Sequence, residues 1–322
     1  MRRRGFLKAS AGVAAAIPLA GCGLGTAGGF SPSGVLAGSL AGLEFETPVT
    51  LGVGSKNYSE QILLGKICVV LLQSAGATVN DYTRIPGSAS FRRAMTEGVF
   101  DCSLDYTGAA WISYLGNTDP IPGEQQQYEA VRDADLVNNV VWLPPAPGNN
   151  TYAFAVTSEF HQEYGLDTME DVTHLPEDLL TYCVGAEFAN RNDGLRPFLE
   201  TYGLPNPPDS NVKLMDTGAI YEATARGVCS FGEVFTTDGR IKALDLKVVE
   251  DTKGFFPEYN ICPTVWKPTL DKYPQIADLF APVAERLDND TLIGLNGEID
   301  IDGREPADVA FDWMVREGFI DA

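Results

Sequence analysis

Val49-Thr50-Leu51-Gly52-Val53, followed by Gly54-Ser55-Lys56-Asn57-Tyr58-Ser59-Glu60-Gln61, is the stretch whose reading decides the fold. The first five residues, mostly apolar and β-branched, read as a buried strand. Asn57 then offers an N-cap, with Glu60 three residues later as in a capping box. The pattern predicts a helix from about Tyr58 to Ser74, with Leu63, Ile67 and Val70 on one face. Outward from there, Thr78 to Ile85 reads as a second strand. Ser88 to Glu97 reads as a second helix stopped by Gly98. Phe100 to Leu104 makes a third strand that runs into Asp105-Tyr106-Thr107-Gly108.

The rhythm returns later. Leu180 to Ala186, Val212 to Met215 and Val228 to Phe235 read as strands. Gly194 to Tyr202 and Ala219 to Arg226 read as the helices between them. Two β-α-β-α-β units imply an α/β chain with mostly parallel sheets covered by helices. Between them, Thr118 to Val156 is rich in Pro, Gly and Asn. Past Arg240 come a strand-like Leu246 to Glu250, a loop through Phe255-Phe256-Pro257, two helices, and a closing helix from Ala307 to Glu317. The natural arrangement is two lobes with the chain crossing twice, near Asn149–Tyr152 and near Phe256–Tyr259. Lobe 1 is then 46–149 plus 259–322, and lobe 2 is 150–258. Ligands of such sheets bind between the lobes, at the carboxyl ends of the strands.

The N-terminus reads as an address. Arg3 and Arg4 begin a stretch resembling a twin-arginine export signal. An apolar run to Ala20 follows, too short to span a bilayer as a mature helix. Leu19-Ala20-Gly21-Cys22 resembles a bacterial lipobox, so 1–21 is expected to be cleaved and Cys22 to carry lipid. Residues 22–45 then serve as lipid anchor and flexible tether, rich in Gly, Ala and Ser. The expected location is the outer face of the cytoplasmic membrane.

The net charge of −21 over 322 residues argues against nucleic acid or anionic membrane surfaces as partners. Two histidines make a histidine-built metal site improbable, and no metal or cofactor is expected. Beyond Cys22 there are five cysteines, an odd number that leaves at least one thiol unpaired within the chain.

Strand ends and crossings gather Lys56, Tyr106, Tyr152, Arg191, Phe235 and Tyr259. Taken singly, each has a plain alternative: a core ring, a solvated lysine, an arginine paired with Asp193 or Glu187. Together they have a chemical meaning. A trimethylammonium group donates no hydrogen bond, and ring faces offer it apolar contact plus a negative quadrupole. Lys56 and Arg191 suit a carboxylate. A cationic head and an anionic tail describe a betaine.

Several segments resemble the substrate-binding lipoproteins of glycine betaine/carnitine/choline ABC importers. They are Gly54-Ser55-Lys56-Asn57-Tyr58-Ser59-Glu60-Gln61, Asp105-Tyr106-Thr107-Gly108 and Asn149-Asn150-Thr151-Tyr152-Ala153. Glu187-Phe188 with Arg191, Asp193 and Gly194 follows, then Phe235 to Arg240, then Phe255 to Asn260. The resemblance implies a two-lobed periplasmic-binding-protein fold of type II. It implies an aromatic cage of Tyr106, Tyr152, Phe235 and Tyr259, and polar contacts from Lys56 and Arg191. Asn150 and Glu233 are secondary candidates beside the cage. Phe235 stands where the family has tyrosine, and Ala109 where it has threonine. These departures leave choline, carnitine, glycine betaine and a bulkier betaine such as ergothioneine open. The expected partners are the ligand, a membrane permease and the membrane itself through the lipid; the expected state is a monomer.

Catalysis is not expected. Gly227-Val228-Cys229-Ser230-Phe231-Gly232 is not a nucleophile elbow, and neither histidine lies near a predicted strand end to serve a choline-ester hydrolase. Nor is there a phosphate-binding Gly-Lys-Ser/Thr loop. A sensor domain is a third class; the expected signal and tether favour a separate lipoprotein.

Overall fold

The computed structural model describes residues 29–119, 121 and 123–322. The export signal and Cys22 lie outside the described residues. The strands are β1 (Val35–Leu36), β2 (Thr50–Lys56), β3 (Thr78–Ile85), β4 (Cys102–Tyr106), β5 (Val140–Trp142) and β6 (Tyr152–Thr157). After them come β7 (Tyr182–Val184), β8 (Val212–Leu214), β9 (Phe231–Phe235), β10 (Leu246–Val249), β11 (Ile261–Trp266) and β12 (Ile320–Asp321). They form two five-stranded sheets, ordered β3-β2-β4-β11-β5 and β10-β6-β9-β7-β8. The architecture is α/β, with helices flanking both sheets.

The sheets are mixed rather than mostly parallel. In the first, β2 runs parallel to β3 and β4, but β11 is antiparallel to both β4 and β5. In the second, β7 is parallel to β8 and β9, while β6 is antiparallel to β9 and β10. The antiparallel members are the strands that follow a crossing. The chain leaves the first sheet after β5, enters the second as β6, and returns as β11. The two crossing segments run antiparallel side by side: Asn149 bridges Asn260, and Asn150 N–H donates to the Tyr259 carbonyl at 3.2 Å.

Helix α1 (Ser59–Ser74) has Tyr58 at its N-cap position, and no side chain caps it. The expected capping role of Asn57 and Glu60 is not used, because Glu60 is drawn into the interior. The helix is buried nearly all round, not on one face. It lies between the first sheet and the C-terminal helices 289–300 and 306–316, so its aliphatic side chains belong to the larger core. Gly54 in β2 serves the opposite face of the sheet, where Phe100 packs with Phe91 and Met95: a Cβ there would sit 2.5 Å from the Phe100 ring. The second core is built around Phe154, Tyr182, Phe188, Phe198 and Phe231.

From Ser31 the expected flexible tether is docked instead. β1 pairs with β12, Ala37 N–H donates to Phe319 O at 2.8 Å, and Leu36 and Leu40 are buried. Leu36 and Leu40, with Leu43 and Phe45 packed against the same core, supply the apolar surface that holds it down. Among the described residues no helix is long and apolar enough to cross a membrane.

Candidate functional site

A cleft of about 480 Å³ opens between the two sheets. The local structure of each element delivers its residues. Lys56 and Tyr106 are the last residues of β2 and β4. Phe235 is the last of β9, and Tyr152 the first of β6. Tyr152 and Phe235 are register partners on neighbouring strands, so their rings meet at 5.1 Å between centroids. Tyr259 arrives on the return crossing and meets Tyr152 edge-on at 5.4 Å. Arg191 follows the short turn Phe188–Asn190 after β7. All six line the cleft, and so do Asn150 and Glu233.

Sequence reading missed two rings. Tyr58, at the mouth of α1, stacks on Phe235 at 5.3 Å and an interplanar angle of 20°. Phe188 packs on Tyr152 at 4.8 Å. Both line the cleft. The signal was present in each case, since Tyr58 follows Lys56 by two residues and Phe188 follows the end of β7. The result is a continuous aromatic wall, Tyr58–Phe235–Tyr152–Tyr259, reaching from one sheet's layer to the other.

The hydroxyls of two cleft tyrosines are spent on protein. Tyr106 donates to Glu60 Oε1 at 2.6 Å, and Tyr259 donates to the Asp193 carboxylate. What these side chains can offer a ligand is therefore mainly ring surface. Burial pushes the pKa of both phenols well above the ordinary value, with Glu60 adding to it for Tyr106. Both are neutral at any physiological pH.

The cations are less free than the sequence suggests. Lys56 Nζ is paired with Asp105 Oδ1 at 2.9 Å, and both are buried. It also sits 5.4 Å from the Tyr106 ring centroid. Arg191 grips Asp193 with two prongs, Nε to Oδ1 at 2.6 Å and Nη2 to Oδ2 at 2.7 Å. Nη2 also donates to Tyr259 OH at 2.6 Å. Its remaining nitrogen, Nη1, lies 3.6 Å from Glu187 Oε1.

Glu233 is buried on β9, two residues before Phe235, so both side chains leave the same face of the strand. Its Oε2 accepts the Gly185 N–H at 2.6 Å. Burial pushes its carboxyl up to about 7; the Gly185 bond and Arg191 oppose that shift and Glu187 reinforces it. Asn150 donates to Glu60 Oε1 at 2.6 Å.

The family model described as the substrate binding domain of the ABC-type glycine betaine transport system matches residues 49–316. A glycine-betaine-binding protein of Pseudomonas aeruginosa is 34% identical over 297 residues, 90% of this chain and 93% of that protein. The solved structure of apo YehZ from Escherichia coli aligns with a TM-score of 0.64 at 31% identity, covering 85% of this chain and 99% of that one. The crystal structure of a glycine betaine/carnitine/choline ABC transporter aligns with a TM-score of 0.69 at 25% identity, covering 84% of this chain and 100% of that one. The chain belongs to the family of substrate-binding domains of ABC-type glycine betaine transport systems.

Proposed function

We propose that this protein captures a quaternary-ammonium compound between its lobes and delivers it to the permease of an ABC importer. The ligand class is glycine betaine, carnitine, choline or a related betaine. The observation that carries the reading is the aromatic wall Tyr58–Phe235–Tyr152–Tyr259, built from both sides of one cleft. Such a wall desolvates methyl groups and stabilises a cation, at about 0.5–2 kcal/mol per ring. In this reading Tyr106, Tyr152, Phe235 and Tyr259 hold the head group, joined by Tyr58 and Phe188. Lys56, Arg191, Asn150 and Glu233 meet the polar end of the ligand. The volume of the cleft also leaves room for a bulkier betaine such as ergothioneine.

The action is conformational, not catalytic. Ligand bridges the two lobes and selects the closed form by its higher affinity for it. The N-terminal reading completes the picture: export, lipidation at Cys22, and a monomer held at the outer face of the membrane beside its permease.

Calorimetric titration of the purified protein with glycine betaine, carnitine, choline and proline tests the reading. Saturable binding of one or more quaternary compounds, with none for proline, is expected. Binding of proline alone would remove the assignment.

A further inference from the structure

Trimethylammonium heads are alike, so the rest of the ligand must distinguish one compound from another. Each cation lining the cleft already holds a buried aspartate: Lys56 holds Asp105, Arg191 holds Asp193, and Arg240 holds Asp238 through Nε at 2.9 Å. An incoming carboxylate would have to share its cation with that aspartate. It would also lie in a cleft lined by Glu187, Asp216 and Glu233.

One acceptor is in the opposite condition. Among the described residues, Glu233 makes no ion pair, and its one hydrogen bond is the Gly185 N–H on Oε2. That leaves Oε1 for a ligand. A buried carboxylate with a single donor is costly, and a ligand that supplies a further proton recovers part of that cost.

Resting on the quaternary-ammonium reading, we propose that the cleft selects a ligand carrying a hydrogen-bond donor beside its trimethylammonium group. Glu233 is the specificity-determining acceptor for that hydroxyl or ring N–H. Glycine betaine has the same head but only acceptors on its tail, so it is the disfavoured member of the class.

Choline and its methyl ether share charge and head group and differ in the donor. Calorimetry of the wild-type protein at pH 8, where the Glu233 carboxyl is ionised, should give choline the tighter binding by about tenfold or more. Ergothioneine, added as a third ligand, separates the two donor sources: binding tighter than choline assigns the donor to a ring N–H, weaker binding to a hydroxyl. In Glu233→Gln the Gly185 N–H keeps the amide oxygen, so the amide NH2 faces the cleft. The choline-to-ether ratio should then fall to within about threefold. Thermal melting checks that the variant folds; if it does not, the wild-type ratio decides alone. Equal wild-type affinity for choline and its ether overturns the role of Glu233 and leaves the binding reading intact. No binding of any quaternary compound overturns both.

Discussion

Thr237 Oγ1 donates to Glu60 Oε2 at 2.6 Å, joining residues 177 apart in sequence and tying the loop after β9 to the first turn of α1. Three more donors reach the same carboxylate: Tyr106 OH and Asn150 Nδ2 at 2.6 Å, and Asn296 Nδ2 at 2.7 Å. They come from β4, the outgoing crossing and the helix 289–300. Burial raises the Glu60 pKa, and the four hydrogen bonds pull it back. Glu60 is thus a junction at which both lobes and a crossing meet. Glu60→Ala would strand four donors in the interior, and we expect a loss of about 3–5 kcal/mol in urea unfolding. A loss below about 1 kcal/mol would show that water replaces the carboxylate at little cost.

Tyr152 separates ring from hydroxyl. It is the centre of the aromatic wall, within 5.9 Å of Phe188, Phe235, Tyr259 and Phe256 by ring centroid. No side-chain hydrogen bond fixes its hydroxyl among the described residues. Tyr152→Phe should leave affinity for a quaternary ammonium within about twofold, while Tyr152→Ala should weaken it by about 1–3 kcal/mol. Equal losses in the two variants would mean that the hydroxyl, not the ring face, makes the contact.

The sequence exposed the site better than the sheets. Strand ends are marked by short apolar runs that stop at a polar or aromatic residue, and that signal picked out Lys56, Tyr106 and Phe235 directly. β11 went unread because Pro263 interrupts Ile261–Trp266, and proline within a run argues against a central strand. With β11 missing, the antiparallel half of the first sheet was invisible. The helix Glu124–Asp135 was hidden for a related reason: Gln125-Gln126-Gln127 and flanking Pro and Gly read as irregular chain. The aspartates that occupy Lys56 and Arg191 depend on tertiary contact. Asp105 lies 49 residues from Lys56, and only the pairing of Arg191 with Asp193 was visible locally, as an alternative.

Glu233 predicts a pH dependence of stability. Its carboxyl moves from an ordinary value of 4.5 up to about 7 in the folded protein, chiefly by burial, with Arg191 and Glu187 as the nearby charges. The folded state therefore binds the extra proton between these values, and stability falls as pH rises through that window. The penalty is absent below about pH 4.5 and complete above about pH 7, on the order of 3 kcal/mol. Glu233→Gln removes it. The variant should match wild type near pH 4.5 and exceed it in stability at pH 8. Parallel stability curves for the two proteins from pH 4.5 to 8 would show that Glu233 is solvated through the cleft.

Cys183 on β7 and Cys229, just ahead of β9, are joined by a disulfide that closes a loop of 46 residues in the second sheet's lobe. Cys183 lies opposite Gly232 in the β7–β9 ladder, so the bond reinforces a strand pair that helps carry Glu233 and Phe235 to the cleft. A crosslink of that span restricts the unfolded chain, and its loss should cost about 2–4 kcal/mol. The test is a pair of unfolding curves with and without dithiothreitol. Reductant should destabilise the wild type and leave a C183S/C229S double variant unchanged, at the level of the reduced wild type. Cys68, Cys102 and Cys262 are buried free thiols whose pKa values burial pushes up. They should resist iodoacetamide in the folded protein and react only after unfolding. Rapid alkylation of all three in native buffer, or a wild-type curve indifferent to reductant, would contradict this assignment of the cysteines.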